Sequence, residues 1–157
     1  MKKIIMFYKL KEPYGIFSNF ADTPIVLKGF VWPTVEHYFQ AQKFLDPHNQ
    51  REIRECDSPW KAAKMGRERT RPLREDWEDV KDSIMRLALI TKFRQHAGAR
   101  SLLKSTQDAI IIERTENDSY WADGGDGSGK NMLGKLLMSV REELSGELTH
   151  SEQVEVF

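Results

Sequence analysis

The chain has 157 residues, of which 39% are hydrophobic, 10% aromatic and 31% charged. That length suits one domain, since a separate core needs roughly 100 to 200 residues, and the composition supplies a core under a charged surface and excludes a mainly disordered chain. Lys plus Arg (24) equals Asp plus Glu (24), so there is no broad basic field of the kind that drives non-specific nucleic-acid affinity, and any polyanion contact must be local.

In chain order, Ile4 to Tyr8 is β-branched and aromatic enough for a strand, and Ile25 to Trp32 reads as two short strands around Lys28-Gly29. Between them, Pro13 to Phe20 mixes turn residues with aromatics, which predicts a loop that returns to the core and can wall a pocket. Thr34 is placed to cap a helix from Val35 through Phe44, with Pro47 closing that segment and a short helix over Asn49 to Cys56. Ser58-Pro59 gives an N-cap and first-turn proline for a helix reaching Arg67. From Glu75, the spacing of Trp77, Val80, Ile84, Leu87, Ala88, Ile90 and Phe93 predicts a long amphipathic helix to about Gln95. A further turn or two of helix is expected at Ala99 to Leu103, and a short buried strand at Ile110 to Ile112. Glu113 to Lys130 is then a long glycine- and aspartate-rich loop, before helical spacing returns from Asn131 to Leu144. The expected fold is a helix-rich α+β single domain with a small β-sheet over 1–146, followed by a polar tail at 147–157.

The single cysteine, Cys56, leaves no internal disulfide and no multi-cysteine zinc site, and it is expected to be a small buried side chain. The N-terminal apolar run is too short for a signal segment or a membrane span, so the expected location is cytoplasmic. No metal-ligand spacing links His37, His48, His96 and His150. His37 is expected to be packed or hydrogen-bonded, and no cofactor or metal is expected.

In the Thr34 helix, a rotation of roughly 100° per residue puts Glu36, Gln40 and Lys43 near one line. Either a carboxylate, an amide and an amine converge there, or the three make an exposed Glu–Lys pair with a solvated glutamine. Trp77 is either core or the edge of a stacking pocket. Gly124-Gly125-Asp126-Gly127-Ser128-Gly129-Lys130-Asn131 approaches a nucleotide-triphosphatase phosphate loop but lacks the Ser or Thr at its eighth position and a preceding strand. What survives is either a flexible turn or a segment whose backbone N–H groups, at Gly129 above all, join Lys130 in holding an anion such as a sugar phosphate. Trp121 and Tyr120 supply aromatic faces for a heterocycle, and Arg67 heads a basic cluster that either binds phosphate or is solvated.

Gly15-Ile16-Phe17-Ser18-Asn19-Phe20, Trp32 to Phe44, Ala62-Ala63-Lys64-Met65-Gly66-Arg67 and Thr115 to Trp121 together resemble, in order and spacing, the NADAR family in its YbiA-like branch. The resemblance spans about Phe7 to Leu144 and implies an N-glycosidase. The implied substrates are phosphoribosylaminopyrimidine intermediates of riboflavin biosynthesis, cleaved to ribose 5-phosphate and the aminopyrimidine. It also implies, as an alternative, removal of ADP-ribose from guanine in nucleic acid; the aromatic loop and the anion cradle would equally serve a noncatalytic ADP-ribose or nucleotide binding module. Matched to the family, Glu36, Asp118 and Lys43 are the expected catalytic residues. Asn19, Gln40, Trp77, Trp121, Arg67, Gly129 and Lys130 are expected to bind substrate. Glu36 would stabilise a cationic sugar or activate water, Asp118 would orient ribose hydroxyls or serve the leaving group, and Lys43 offers a Schiff-base route. Such chemistry requires Glu36 and Asp118 to serve one crevice.

Overall fold

The computed structural model describes residues 1–147; apart from Glu147, the expected polar tail lies outside the described residues. The elements are β1 (Ile4–Phe7), β2 (Ile25–Leu27), β3 (Phe30–Trp32), α1 (Val35–Ala41), α2 (Pro47–Glu55), α3 (Pro59–Gly66), α4 (Trp77–Gln95), α5 (Ala97–Ser105), β4 (Ile110–Glu113) and α6 (Met132–Ser145), with a single 3-10 turn at Gly15–Phe17. β1 pairs with β4, and β2 with β3. This is an α+β fold, helix-rich as expected, with its strands in two separate pairs. By contacts it divides into two units, one of Phe7–Ala99 and one of Met1–Met6 with the chain from Arg100 onward. No helix among the described residues is long and apolar enough to cross a membrane.

In the unit of Phe7–Ala99, β2 and β3 form an antiparallel hairpin in the register Ile25↔Trp32, Val26↔Val31, Leu27↔Phe30. Its two-residue turn is Lys28-Gly29, both with positive φ (56° and 83°), which matches strand twist as primed hairpin turns do. Alternation then buries Ile25 and Trp32 and exposes Val26 and Val31. Thr34 caps α1 by accepting from the His37 N–H. All seven residues of α1 are buried, so this short helix is the axle around which β3, α2, α3 and α4 pack.

Among the boundaries that differ from the sequence expectation, two shape the surroundings of α1. α1 ends at Ala41 instead of Phe44, because the next residues tighten into i→i+3 bonds, Lys43 N–H to Gln40 O and Phe44 N–H to Ala41 O. That turn delivers Phe44 to the core, fully buried. Pro47 opens α2 instead of closing α1, which has already ended at Ala41: Asp46 caps the helix by accepting from His48 N–H, and proline sits in the first turn.

The expected α4 is present, but its buried face is rotated. Met85, Leu89 and Lys92 join Trp77, Ala88, Ile90 and Phe93 inside, while Leu87 is exposed and Val80 and Ile84 are half-buried. One member of the buried face, Lys92, is a residue type that an apolar periodicity does not include. Lys92 is fully buried and donates to the Ser18 carbonyl at 2.9 Å, which ties the 13–20 loop to α4. Phe17 of the same loop sits between Phe7 and Phe93, at centroid distances of 5.9 and 6.0 Å, so the loop returns to the core as its aromatics predicted.

In the other unit, α6 packs on β4. Only Ile111 of β4 is fully buried, and Ile110 is exposed, so the expected buried strand is a half-buried one. Asn131, with φ of 51°, precedes α6 and links it to β4, its amide donating to Ile111 O and accepting from Glu113 N–H. Arg141 of α6 is buried and donates to Thr106 Oγ1 and Ala109 O.

Burial holds the Lys92 amine down to about 7, whereas the unfolded chain keeps it near the ordinary lysine value. Between about pH 7 and 10 the unfolded state therefore binds the extra proton, so stability rises with pH through that window and the cost is fully present below it. In denaturant titrations across pH 6 to 10, the wild type is expected to gain stability relative to Lys92→Met as pH increases; parallel curves would show that Lys92 stays charged in the fold.

Candidate active site

α1 carries the densest chemistry. Glu36 lies in its first turn, buried to 8% exposure. A carboxylate there is favoured by the helix dipole but, once removed from water, requires hydrogen-bond donors. Gln40, one turn later, donates from Nε2 to Glu36 Oε1 at 2.6 Å. The Glu36 N–H in turn donates to the Asn19 carbonyl at 3.1 Å, and the Asn19 amide nitrogen approaches Met85 Sδ at 3.5 Å. Gln40 and Asn19 are themselves buried, and each leaves its amide oxygen without a hydrogen-bond partner.

Lys43 is half-buried just past the end of α1. Its Nζ lies 3.4 Å from the Gly66 carbonyl and 5.9 Å from the centre of the Trp77 ring, and Trp77 packs against Phe39 at 5.1 Å. Burial lowers the Lys43 amine to about 8; the Glu36 charge opposes that shift, and Arg69, Arg67 and Lys81 reinforce it. The reading in which Glu36 and Gln40 are solvated is therefore excluded. Trp77 is at once core, at 6% exposure, and a wall beside Lys43.

The basic cluster splits in two. Arg71 is consumed by Glu52, Glu68 and Asn49, and Arg74 by Asp76. Arg69 donates to the Gly66 carbonyl, and exposed Arg67 stands close enough to influence Lys43.

His37, next in sequence to Glu36, points elsewhere. Its ring nitrogens meet Thr34 Oγ1 at 2.8 Å and the Cys56 carbonyl at 3.1 Å, and burial lowers its pKa. It is a hydrogen-bonded histidine, as expected. It borders a hollow of about 420 Å³ that is also lined by Phe20, Thr34, Cys56 and Trp60, so the 13–20 loop does wall a pocket. Cys56 is only half-buried, because its sulfur reaches the Ser58 carbonyl at the edge of that hollow.

The other unit holds the remaining expected residues in the loop before α6. Asp118 Oδ1 accepts from the N–H groups of both Tyr120 and Trp121 at 2.8 Å, an aspartate turn that sets the two rings edge to face at 4.9 Å. Lys130 is exposed, with its Nζ 5.2 Å from the Tyr120 ring. The glycine run differs from the expected anion cradle. Gly124 N–H goes to Asp118 O, Gly125 N–H to the Asp123 side chain, Gly127 and Gly129 N–H to Asp123 O, and Lys130 N–H to Ser119 O. These amides bond to the loop itself, so Gly129 serves the scaffold and Lys130 offers its side chain alone. The organising residue is Asp123, which sequence reasoning passed over. It is 2% exposed and also accepts from Arg114 and from Thr115 N–H. Burial works against its charge, but the bonds from Gly125 N–H, Arg114 and Thr115 N–H outweigh that and hold the carboxyl below the usual carboxylate range. An acidic residue ahead of two glycines, Asp123-Gly124-Gly125, is the signal that pointed to a turn-forming carboxylate.

The NADAR domain model matches residues 6–145. The chain is 58% identical to N-glycosidase YbiA of Escherichia coli, over 92% of its length and 90% of that protein's. It is 45% identical to N-glycosidase Npun_R5314 of Nostoc punctiforme, over 92% and 95%. It is also 39% identical to riboflavin biosynthesis protein VVA0006 of Vibrio vulnificus, over 92% of this chain and 39% of that longer one. The NMR structure of the E. coli protein YbiA superposes with a TM-score of 0.86 at 54% identity, covering 96% of this chain and 92% of that one. The fold and these relationships define a hydrolase of N-glycosyl bonds. The chain belongs to the NADAR family.

Asp123→Ala is expected to cost on the order of 2 kcal/mol or more, because it leaves buried donors unpaired, and to raise amide exchange across 114–130. Unchanged exchange in that segment would show that the loop is ordered by something else.

Proposed function

We propose that the protein hydrolyses the C–N glycosidic bond of phosphoribosylaminopyrimidine intermediates of riboflavin biosynthesis, releasing ribose 5-phosphate and the aminopyrimidine. The observation that carries this reading is the buried Glu36–Gln40 pair beside a lysine whose pKa is lowered to about 8. The riboflavin biosynthesis name of the Vibrio relative supports the substrate.

At a pKa of about 8, roughly one Lys43 amine in ten is neutral at pH 7, against fewer than about one in a thousand for an ordinary lysine. A neutral amine is the form that adds to carbon. In the ring-opened aminoribose, C1 is an iminium joined to the departing nitrogen. The Lys43 amine adds to C1, the C1–N bond to the aminopyrimidine breaks as that nitrogen takes a proton, and Lys43 is left as an iminium. Water then adds to C1 and frees both the lysine and ribose 5-phosphate, so the net reaction consumes one water. Glu36, close enough to influence Lys43, is the group that passes the protons. The Trp77 wall restricts water around Lys43, and the unpartnered Asn19 oxygen can accept from a ribose hydroxyl. Asp118 keeps Oδ2 as an acceptor for sugar hydroxyls, since its other oxygen is committed to Tyr120 and Trp121. Trp121 offers a stacking face and exposed Lys130 a charge for the phosphate, and in the other unit Arg67 offers a charge close to Lys43.

Borohydride added during turnover is expected to trap a substrate-dependent adduct on Lys43, and Lys43→Ala to lose at least about a hundredfold in kcat. No adduct together with an active Lys43→Ala enzyme would transfer the reaction to Glu36 and water. The rate is also expected to climb with pH toward about 8, as the Lys43 amine loses its proton. A profile flat from pH 6 to 9 would remove the amine from the rate equation. Base release from a ribosylaminopyrimidine phosphate and from ADP-ribosylated guanine, measured in parallel, tests the substrate; release only from the latter would overturn it. Glu36→Gln and Asp118→Asn are expected to remain folded and lose turnover, and a folded variant with normal rates would remove its residue from the chemistry.

A further inference from the structure

We infer that Gly66 is a positioning residue for Glu36: the side chain it lacks is the space that the Gln40 amide occupies when it holds the carboxylate. The inference rests on the reading of Glu36 as a reacting group. A methyl group built on Gly66 would overlap Gln40 Oε1 and stand 2.6 Å from its Cδ. Gln40 could then not keep its present rotamer, and its Nε2 bond to Glu36 Oε1 at 2.6 Å would break.

Nothing else at this position asks for glycine. Gly66 is the last residue of α3 and is not among the residues with positive φ, and alanine is the better helix former. Its absence of a side chain is explained by the approach of α3 to α1 at Gln40. The two overlapping atoms are the far end of a flexible side chain, and Gln40 Cβ, at 3.1 Å, asks the helices to give only slightly, so an added methyl displaces the amide instead of splitting the helices apart. The same residue bears on the amine: its carbonyl takes Lys43 Nζ at 3.4 Å and Arg69 Nη1 at 3.0 Å. One residue thus holds the carboxylate's partner on its α-carbon side and the lysine on its carbonyl side.

The test compares Gly66→Ala, Gln40→Ala and the double variant in the full chain, with a ribosylaminopyrimidine phosphate as substrate and Glu36→Gln as control. Gly66→Ala is expected to keep its circular dichroism and lose on the order of tenfold or more in kcat, with little change in KM. The acidic limb of its kcat profile should move to higher pH, because a carboxylate deprived of a donor takes up a proton more readily. Gln40→Ala should reproduce both effects, and the double variant should be no slower than Gly66→Ala, since both changes remove one hydrogen bond. Wild-type kcat in Gly66→Ala, failure of that variant to fold, an unmoved acidic limb, or losses that multiply in the double variant would each overturn the inference. An active Glu36→Gln enzyme would instead overturn the functional reading on which it rests, whereas an inactive Glu36→Gln beside a fully active Gly66→Ala would sink the positioning role alone.

Discussion

The hydrogen bond between Gln40 and Glu36 is the interaction on which the interior of the Phe7–Ala99 unit turns. α1 is buried along its entire length, which for a seven-residue helix means that its polar side chains must be satisfied from within. A carboxylate in that position is costly unless donors surround it. The amide one turn later supplies one donor, the first turn of the helix adds its dipole, and the Asn19 carbonyl fixes the backbone of Glu36 by accepting its N–H. The close approach of α3 at Gly66 and the packing of Phe39 on Trp77 complete the enclosure. Enclosure in turn desolvates Lys43, so the acid's burial and the amine's lowered pKa have one structural origin.

The two lysines with lowered pKa show why burial alone does not identify a functional group. Lys92 is the more deeply buried and the more strongly shifted, yet its amine is held by the Ser18 carbonyl and lies over the Phe93 ring. It spends its donor on holding a loop. Lys43 is only half-buried, lies under the influence of Glu36 and three cations, and so combines a neutral fraction with partial exposure. Perturbed groups gather at active sites, but structural ones are perturbed as well; what separates these two is the company of titratable neighbours.

The loop ahead of α6 solves a different problem. A long segment without regular structure must still satisfy its backbone, and here a buried aspartate does so. Asp123 gathers donors from Arg114, Thr115 and Gly125 with its carboxylate and from Gly127 and Gly129 with its carbonyl. The glycines are therefore used for turning and close approach, and their N–H groups are committed to the loop. The Tyr120–Trp121 pair, set by Asp118, is what this scaffold presents.

Much of this protein was legible in the order of its residues. Caps at Thr34 and Ser58, the Lys28-Gly29 turn, the long α4 and the final helix follow from local rules, and the alignment of Glu36, Gln40 and Lys43 follows from helical periodicity, because each depends on neighbours a few positions away. The motifs from Gly15 to Trp121 also carried the family. Tertiary structure alone decided whether Glu36 and Gln40 face solvent or each other, that a lysine belongs to the buried face of α4, and that Asp123 takes amides that were otherwise open to an anion. Those outcomes depend on which distant segments, Gly66 against Gln40 or Ser18 against Lys92, come within hydrogen-bonding range, and burial is a property of that three-dimensional neighbourhood that no local pattern encodes.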